Sequence, residues 1–119
     1  MSEWFELEQF SRTLRTNSGQ FAIIAARMLV LEIMARHILE TEPGVLVHWG
    51  HKNIQYPSGA VAYLIPAKPN GEEHLRGLRL DGAWFLSGGT DELYLPESMK
   101  AYAITRSARP DFITWSTYL

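Results

Sequence analysis

The sequence predicts an α+β domain: two N-terminal helices, the second long and largely buried, packed on a curled antiparallel meander of six or seven strands. Three observations carry the prediction. The first third of the chain has apolar residues at three- and four-residue spacing, the repeat of a helix. After Gly44 that spacing gives way to short β-branched and aromatic runs. The links between those runs are short, and short links join antiparallel neighbours, because a parallel crossover takes a dozen or more residues.

Trp4, Leu7, Phe10 (or Ser11) and Leu14 form one stripe, with Glu3, Glu6, Arg12 and Arg15 opposite, so a first helix is expected from Ser2 to a break at 16–19. The second helix is expected over about 19–41, where Ala, Leu, Met, Glu and Arg dominate and no proline occurs before Pro43. It is apolar nearly all round, from Phe21 through Ile24, Leu31 and Ile33 to Leu39. Such a helix needs cover on most faces. Glu32–Arg36 and Arg36–Glu40 are expected as i,i+4 pairs along its wet stripe. Glu42-Pro43-Gly44 ends it.

The strand candidates are Val45–Trp49, Ile54–Tyr56, Ala60–Ile65, His74–Leu80, Ala83–Leu86, Leu93–Leu95, Ala101–Arg106 and Phe112–Tyr118. Pro69-Asn70-Gly71 and Asp81-Gly82 read as hairpin turns, and Pro96–Met99 as one helical turn. All of this fits a single domain over 1–119. If the curled sheet covers only one side of the second helix, that helix or its neighbour is expected to pair with a second subunit, so a homodimer stays open.

Composition excludes several classes. The 119 residues are 46% hydrophobic and 20% charged, which argues against a disordered chain. A net charge of −2 disfavours both a strongly basic nucleic-acid binder and an acidic mimic of nucleic acid. There are no cysteines, so a disulfide scaffold, a thiol nucleophile and a Cys-bearing metal site are excluded. The N-terminus carries acids where a secretory signal has bases. Arg27, Glu32, Arg36 and His37 interrupt the strongest apolar stretch, so no membrane span is expected. Cytoplasm is the expected location.

The chemistry is faint. His48-Trp49-Gly50-His51 places two imidazoles three residues apart. On a regular strand they would point to opposite faces, so joint action needs a bend, which Gly50 could supply. No HExxH or other metal-ligand pattern accompanies them, and no metal or cofactor is expected. Ser58 and Ser87 precede glycines in turns, with no Gly-x-Ser-x-Gly elbow. Ser87-Gly88-Gly89-Thr90 lacks the lysine of a phosphate loop. The pairs Arg76/Arg79 and Arg106/Arg109, with Tyr102, Trp84 or Trp115, could contact phosphate and stack bases. Arg76 and Arg79, however, fall on opposite faces of a regular strand, and Glu72, Glu73, Asp81 and Asp111 neutralise much of the region.

Three functional readings follow. The first is a non-enzymatic binding protein, such as an inhibitor, adaptor or accessory protein of a phage or mobile element. It would dock a protein partner through its sheet face or loops, with Trp49, Tyr56, Arg106 and Arg109 at the contact and Tyr94 and Tyr118 as further aromatic candidates. The second is a small hydrolase or isomerase with a pocket between the second helix and the sheet, using His48, His51 and Asp81, with Tyr63 or Tyr102 as donors. The third is a nucleic-acid binder using the two arginine pairs.

Overall fold

The structure is a computed structural model that describes residues 2–67, 71–75, 77–87, 104 and 111–118. The order of elements is α1 (Ser2–Thr16), β1 (Gln20–Ala25), α2 (Met28–Thr41), β2 (Leu46–His48), β3 (Asn53–Gln55), β4 (Val61–Pro66), α3 (Gly71–Leu75), β5 (Gly82–Ser87) and β6 (Ile113–Tyr118).

The six strands form one mixed sheet in the order β2-β3-β4-β1-β5-β6. β1 lies parallel to β4 on one side and to β5 on the other, and β5 is parallel to β6. Only β2-β3-β4 is antiparallel. This corrects the expected architecture of two helices on an antiparallel meander.

The structure departs from the expectation at residue 20. Gln20–Ala25 is not the first turn and a half of a long helix but the central strand. Five of its six residues, Phe21 through Ala25, are buried. A parallel strand with elements on both faces reads as an unbroken apolar run rather than as alternation. Phe21-Ala22-Ile23-Ile24-Ala25 therefore merges in the sequence with the helix that follows, because no Gly or Pro separates them. With β1 hidden, the crossover from β1 to β4 could not be seen. α2 and the β2–β3 hairpin together make that crossover.

Each sheet face carries its own apolar layer. On one side α1 and α2 contribute Leu7, Phe10, Leu14, Leu31, Ala35 and Ile38 against Phe21, Ile23, Ile54, Ala62, Leu64, Trp84 and Trp115. Phe10 anchors α1, with ring centroids 5.0 Å from Trp84 and 5.1 Å from Trp115 in an edge-on contact. The other side packs Leu75 of α3 and Leu80 on Ala22, Ile24, Ile65, Ala83 and Phe85. His74–Leu80, expected as a strand, opens instead on the last residues of the short helix α3. Asp81-Gly82 is not a hairpin turn but the entry to β5. Trp84 and Trp115 are core residues, 0% and 6% exposed, and have no face free to stack a base.

The remaining elements form close to where the sequence places them: α1, β2, β3, β4, β5 and β6. α2 stops at Thr41, where the Glu42 backbone N–H still donates to the Ile38 carbonyl at 2.8 Å before Pro43. The expected strands Leu93–Leu95 and Ala101–Arg106, and the turns at Pro69-Asn70 and Pro96–Met99, lie outside the described residues. Among the described residues, no helix is long and apolar enough to cross a membrane.

Candidate functional site

Three places can be weighed as a site: the carboxyl ends of the parallel strands, the β2–β3 hairpin, and a cleft at the opposite end of the sheet.

In an open sheet with parallel strands, ligands sit outside the carboxyl ends of the strands where the connections diverge. Here that point falls between β1, whose chain crosses toward β4, and β5, whose next strand β6 lies on the other side. The residues there are Ala25-Ala26-Arg27 after β1 and Leu86-Ser87 at the end of β5. Arg27 precedes α2 in extended backbone with no side-chain cap. This connection has no glycine, and the sequence has no Gly-x-x-x-x-Gly-Lys-Ser/Thr segment. β5 itself, Gly82–Ser87, contains no carboxylate that could hold a magnesium ion, and residues 88–103 lie outside the described residues. These residues do not fit a nucleoside-phosphate cradle.

The β2–β3 hairpin is the second place. Residues 49–52 turn the chain, with Lys52 at φ 55°, and the turn brings His48 and His51 to a ring-centroid separation of 6.4 Å. Both imidazoles are exposed. Trp49, at the tip, is 41% exposed, and the Arg36 guanidinium from α2 lies over its ring at 5.3 Å. Along β2, Val47 packs toward the α2 side. Alternation therefore sends Leu46 and His48 to the other sheet face. They share that face with Asn53, Gln55, Val61 and Tyr63, their cross-strand neighbours. Leu46 is 60% exposed.

The third place is a cleft of about 180 Å³ lined by Arg15, Glu42, Pro43, Tyr56, Pro57 and Ser58. A bidentate ion pair closes its floor, with Arg15 Nε and Nη2 donating to the Glu42 carboxylate at 2.9 and 2.6 Å. Arg15 Nη1 also donates to Glu8 at 3.2 Å. Glu42 first, and then Glu8, raise the Arg15 pKa above its ordinary value. The Ser58 hydroxyl donates to the Leu14 and Asn17 carbonyls, which ties the end of α1 to the β3–β4 turn. Tyr56 is buried, and burial pushes its phenol well above its ordinary range, against a smaller opposing effect of the Ser11 hydroxyl. Neither hydroxyl forms a well-aligned hydrogen bond. The saturated ion pair and the sealed phenol make this cleft a joint between α1, α2 and β3.

The sequence candidates separate accordingly. His48 and His51 come together. Asp81 does not join them: its carboxylate accepts from the Gln20 backbone N–H at 3.0 Å beside β1. It lies four strand positions from β2, about 19 Å across the sheet. Among the described residues, no three metal-ligating side chains converge. Trp49 is at the surface, whereas Tyr56, expected as an exposed contact, is 5% exposed and belongs to the core. Tyr63 is half-buried on the open sheet face, and Arg79 is exposed. Arg76, Arg106, Arg109, Tyr94 and Tyr102 lie outside the described residues, as does the side chain of Tyr118. Sequence reasoning missed Leu46 as a surface residue, and it missed the stacking of Arg36 on Trp49. The expected Glu32–Arg36 and Arg36–Glu40 pairs are not among the ion pairs of the described residues.

The fold is thus α+β overall, as expected, with a mixed sheet whose parallel core is extended on one side by an antiparallel hairpin. No family model matches the chain, and no curated protein matches it. Among solved structures, the large terminase from the thermophilic bacteriophage D6E, solved in complex with ADP, is similar in fold. The TM-score is 0.66 at 18% identity, over 93% of this chain and 29% of the terminase chain.

Proposed function

We propose that the chain is a non-enzymatic protein-binding module of phage type, built on a terminase-like sheet but working without nucleotide turnover. Its partner docks on the β2–β3 hairpin, at the Trp49 tip and on the open face around Leu46. The observation that carries this reading is the hairpin surface itself. Leu46 and Trp49, 60% and 41% exposed, both belong to a short edge hairpin. A rigid aromatic held by a stacked guanidinium is the kind of anchor that dominates protein interfaces. The likeness to a phage protein supports the phage origin. That terminase was solved with ADP; the glycine-free β1–α2 connection of this chain speaks against a nucleotide-phosphate cradle at that connection. The distance between the hairpin histidines and Asp81 speaks against the hydrolase or isomerase reading that joined them.

The test is affinity capture from native lysate with the wild-type chain, Trp49→Ala and Leu46→Asp, alongside calorimetric titration with Mg-ATP and with a short DNA duplex. One protein retained in stoichiometric amount by the wild type and lost by both variants is expected, with no heat from nucleotide or DNA. ATP binding with phosphate release, salt-sensitive binding of the duplex, or capture indifferent to both substitutions overturns the proposal.

A further inference from the structure

The outer face of α2 carries a second surface, which meets the hairpin where Arg36 stacks on Trp49. Leu29 is 63% exposed, Ile33 60% and Leu39 47%. A helix that turns 100° per residue puts Leu29, Glu32, Ile33, Arg36 and Leu39 within about 120° of one another, on one face. The opposite face is the one in the core, through Leu31, Ala35 and Ile38.

The order of residues on this face is self-complementary. About the level of Met34, Leu29 and Leu39 are equidistant on either side, and so are Glu32 and Arg36. A two-fold axis there, crossing two antiparallel copies of α2, sets each Leu29 near the partner's Leu39. It also sets each Glu32 near the partner's Arg36, with Ile33 beside the axis. An isologous contact requires this kind of reciprocal pairing. The charges are available for it. Among the described residues Glu32 forms no ion pair, and Arg36 stacks its face on Trp49, which leaves its N–H edges free for a carboxylate.

We infer that a second copy of this chain docks on the outer face of α2, forming an antiparallel two-fold helix pair. The seam from Leu29 to Leu39 is about 15 Å long. It buries less than the roughly 1,600 Å² of a standard interface, so a micromolar dimer is expected.

The decisive experiment is sedimentation of the wild-type chain, Glu32→Arg and Arg36→Glu across roughly 1–500 µM. Each variant is measured alone and the two are measured as a 1:1 mixture. Arg36 is exposed and Glu32 half-buried, so circular dichroism checks that each variant is folded. The wild type dimerises. Each variant alone sets like charges across the axis and associates at least about tenfold more weakly. The mixture restores opposite charges at every pair and recovers a dimer with one copy of each variant. Ile33→Asp, beside the axis, abolishes association whatever the charges. A wild-type chain that stays monomeric throughout overturns the inference, leaving the face to a foreign partner. Variants that dimerise as tightly as the wild type, or a mixture no tighter than its components, also overturn it. Because Arg36 also stacks on Trp49, capture at the hairpin is read separately, with the wild-type chain, Trp49→Ala and Leu46→Asp.

Discussion

Tyr56 and Arg15 show how single side chains hold the amino end of the sheet together. Arg15 satisfies the carboxylate of Glu42, which is only 5% exposed. Losing a fully buried partner costs about 3–5 kcal/mol. Arg15 is itself 44% exposed, so solvent screening brings the cost of its removal nearer about 2 kcal/mol. Tyr56 is the opposite case, a buried hydroxyl with no well-formed hydrogen bond. Tyr56→Phe removes that unsatisfied group, so at neutral pH the urea midpoint stays level or rises by up to about 1 kcal/mol of stability. The raised phenol pKa gives the pH dependence a sign. Above about pH 10 the unfolded chain loses this proton while the folded chain keeps it, so stability falls as pH rises, by at most about 1.4 kcal/mol per unit. Urea midpoints near pH 9 and pH 11 check this: the drop between them is smaller in Tyr56→Phe than in the wild type. Equal drops would mean that Tyr56 titrates normally.

At the level of elements, β1 decides the architecture. Ile23 and Ile24 are adjacent in sequence and both 0% exposed, yet they belong to different apolar layers. Only a strand covered on both faces does this. Ile23→Ala and Ile24→Ala should therefore each cost about 2–4 kcal/mol in chemical denaturation, with similar losses. β5 meets a similar constraint at its first residue. A Cβ on Gly82 would come within 2.7 Å of the Ile113 carbonyl oxygen and 3.1 Å of the Trp115 ring, so glycine is what lets β6 lie against β5 at that point.

At the level of the whole molecule, stability should follow the strand order. β1 is flanked by β4 and β5 and covered on both faces, whereas β2 is a three-residue edge strand. Amide exchange of Phe21–Ala25 should be slowest and that of Leu46–His48 among the fastest, by several orders of magnitude. Exchange mass spectrometry reads this directly, and rapid exchange in β1 would contradict the central position of that strand. The two exposed surfaces are the hairpin, at the antiparallel edge of the sheet, and the outer face of α2, whose inner face packs on the sheet. Partners can attach there without disturbing the parallel core.

Much of the fold can be read from local chemistry alone. The α1 stripe through Leu7, Phe10 and Leu14, the proline-bounded strands and the end of α2 at Pro43 all follow from side-chain spacing and backbone restriction, which act over a few residues. The absence of a glycine-rich phosphate loop is equally local, and Trp49 could be picked out as a contact candidate from its type and its turn. What only the tertiary structure decided is non-local. Whether Gln20–Ala25 is helix or strand depends on β4 and β5, which lie more than a helix away in the chain. The burial of Tyr56, the ion pair of Arg15 with Glu42, the separation of Asp81 from His48 and the exposure of Leu29, Ile33 and Leu39 all follow from that one assignment. A six-residue apolar run carries no period that tells a two-faced buried strand from a buried helix; the neighbours that cover it make the choice.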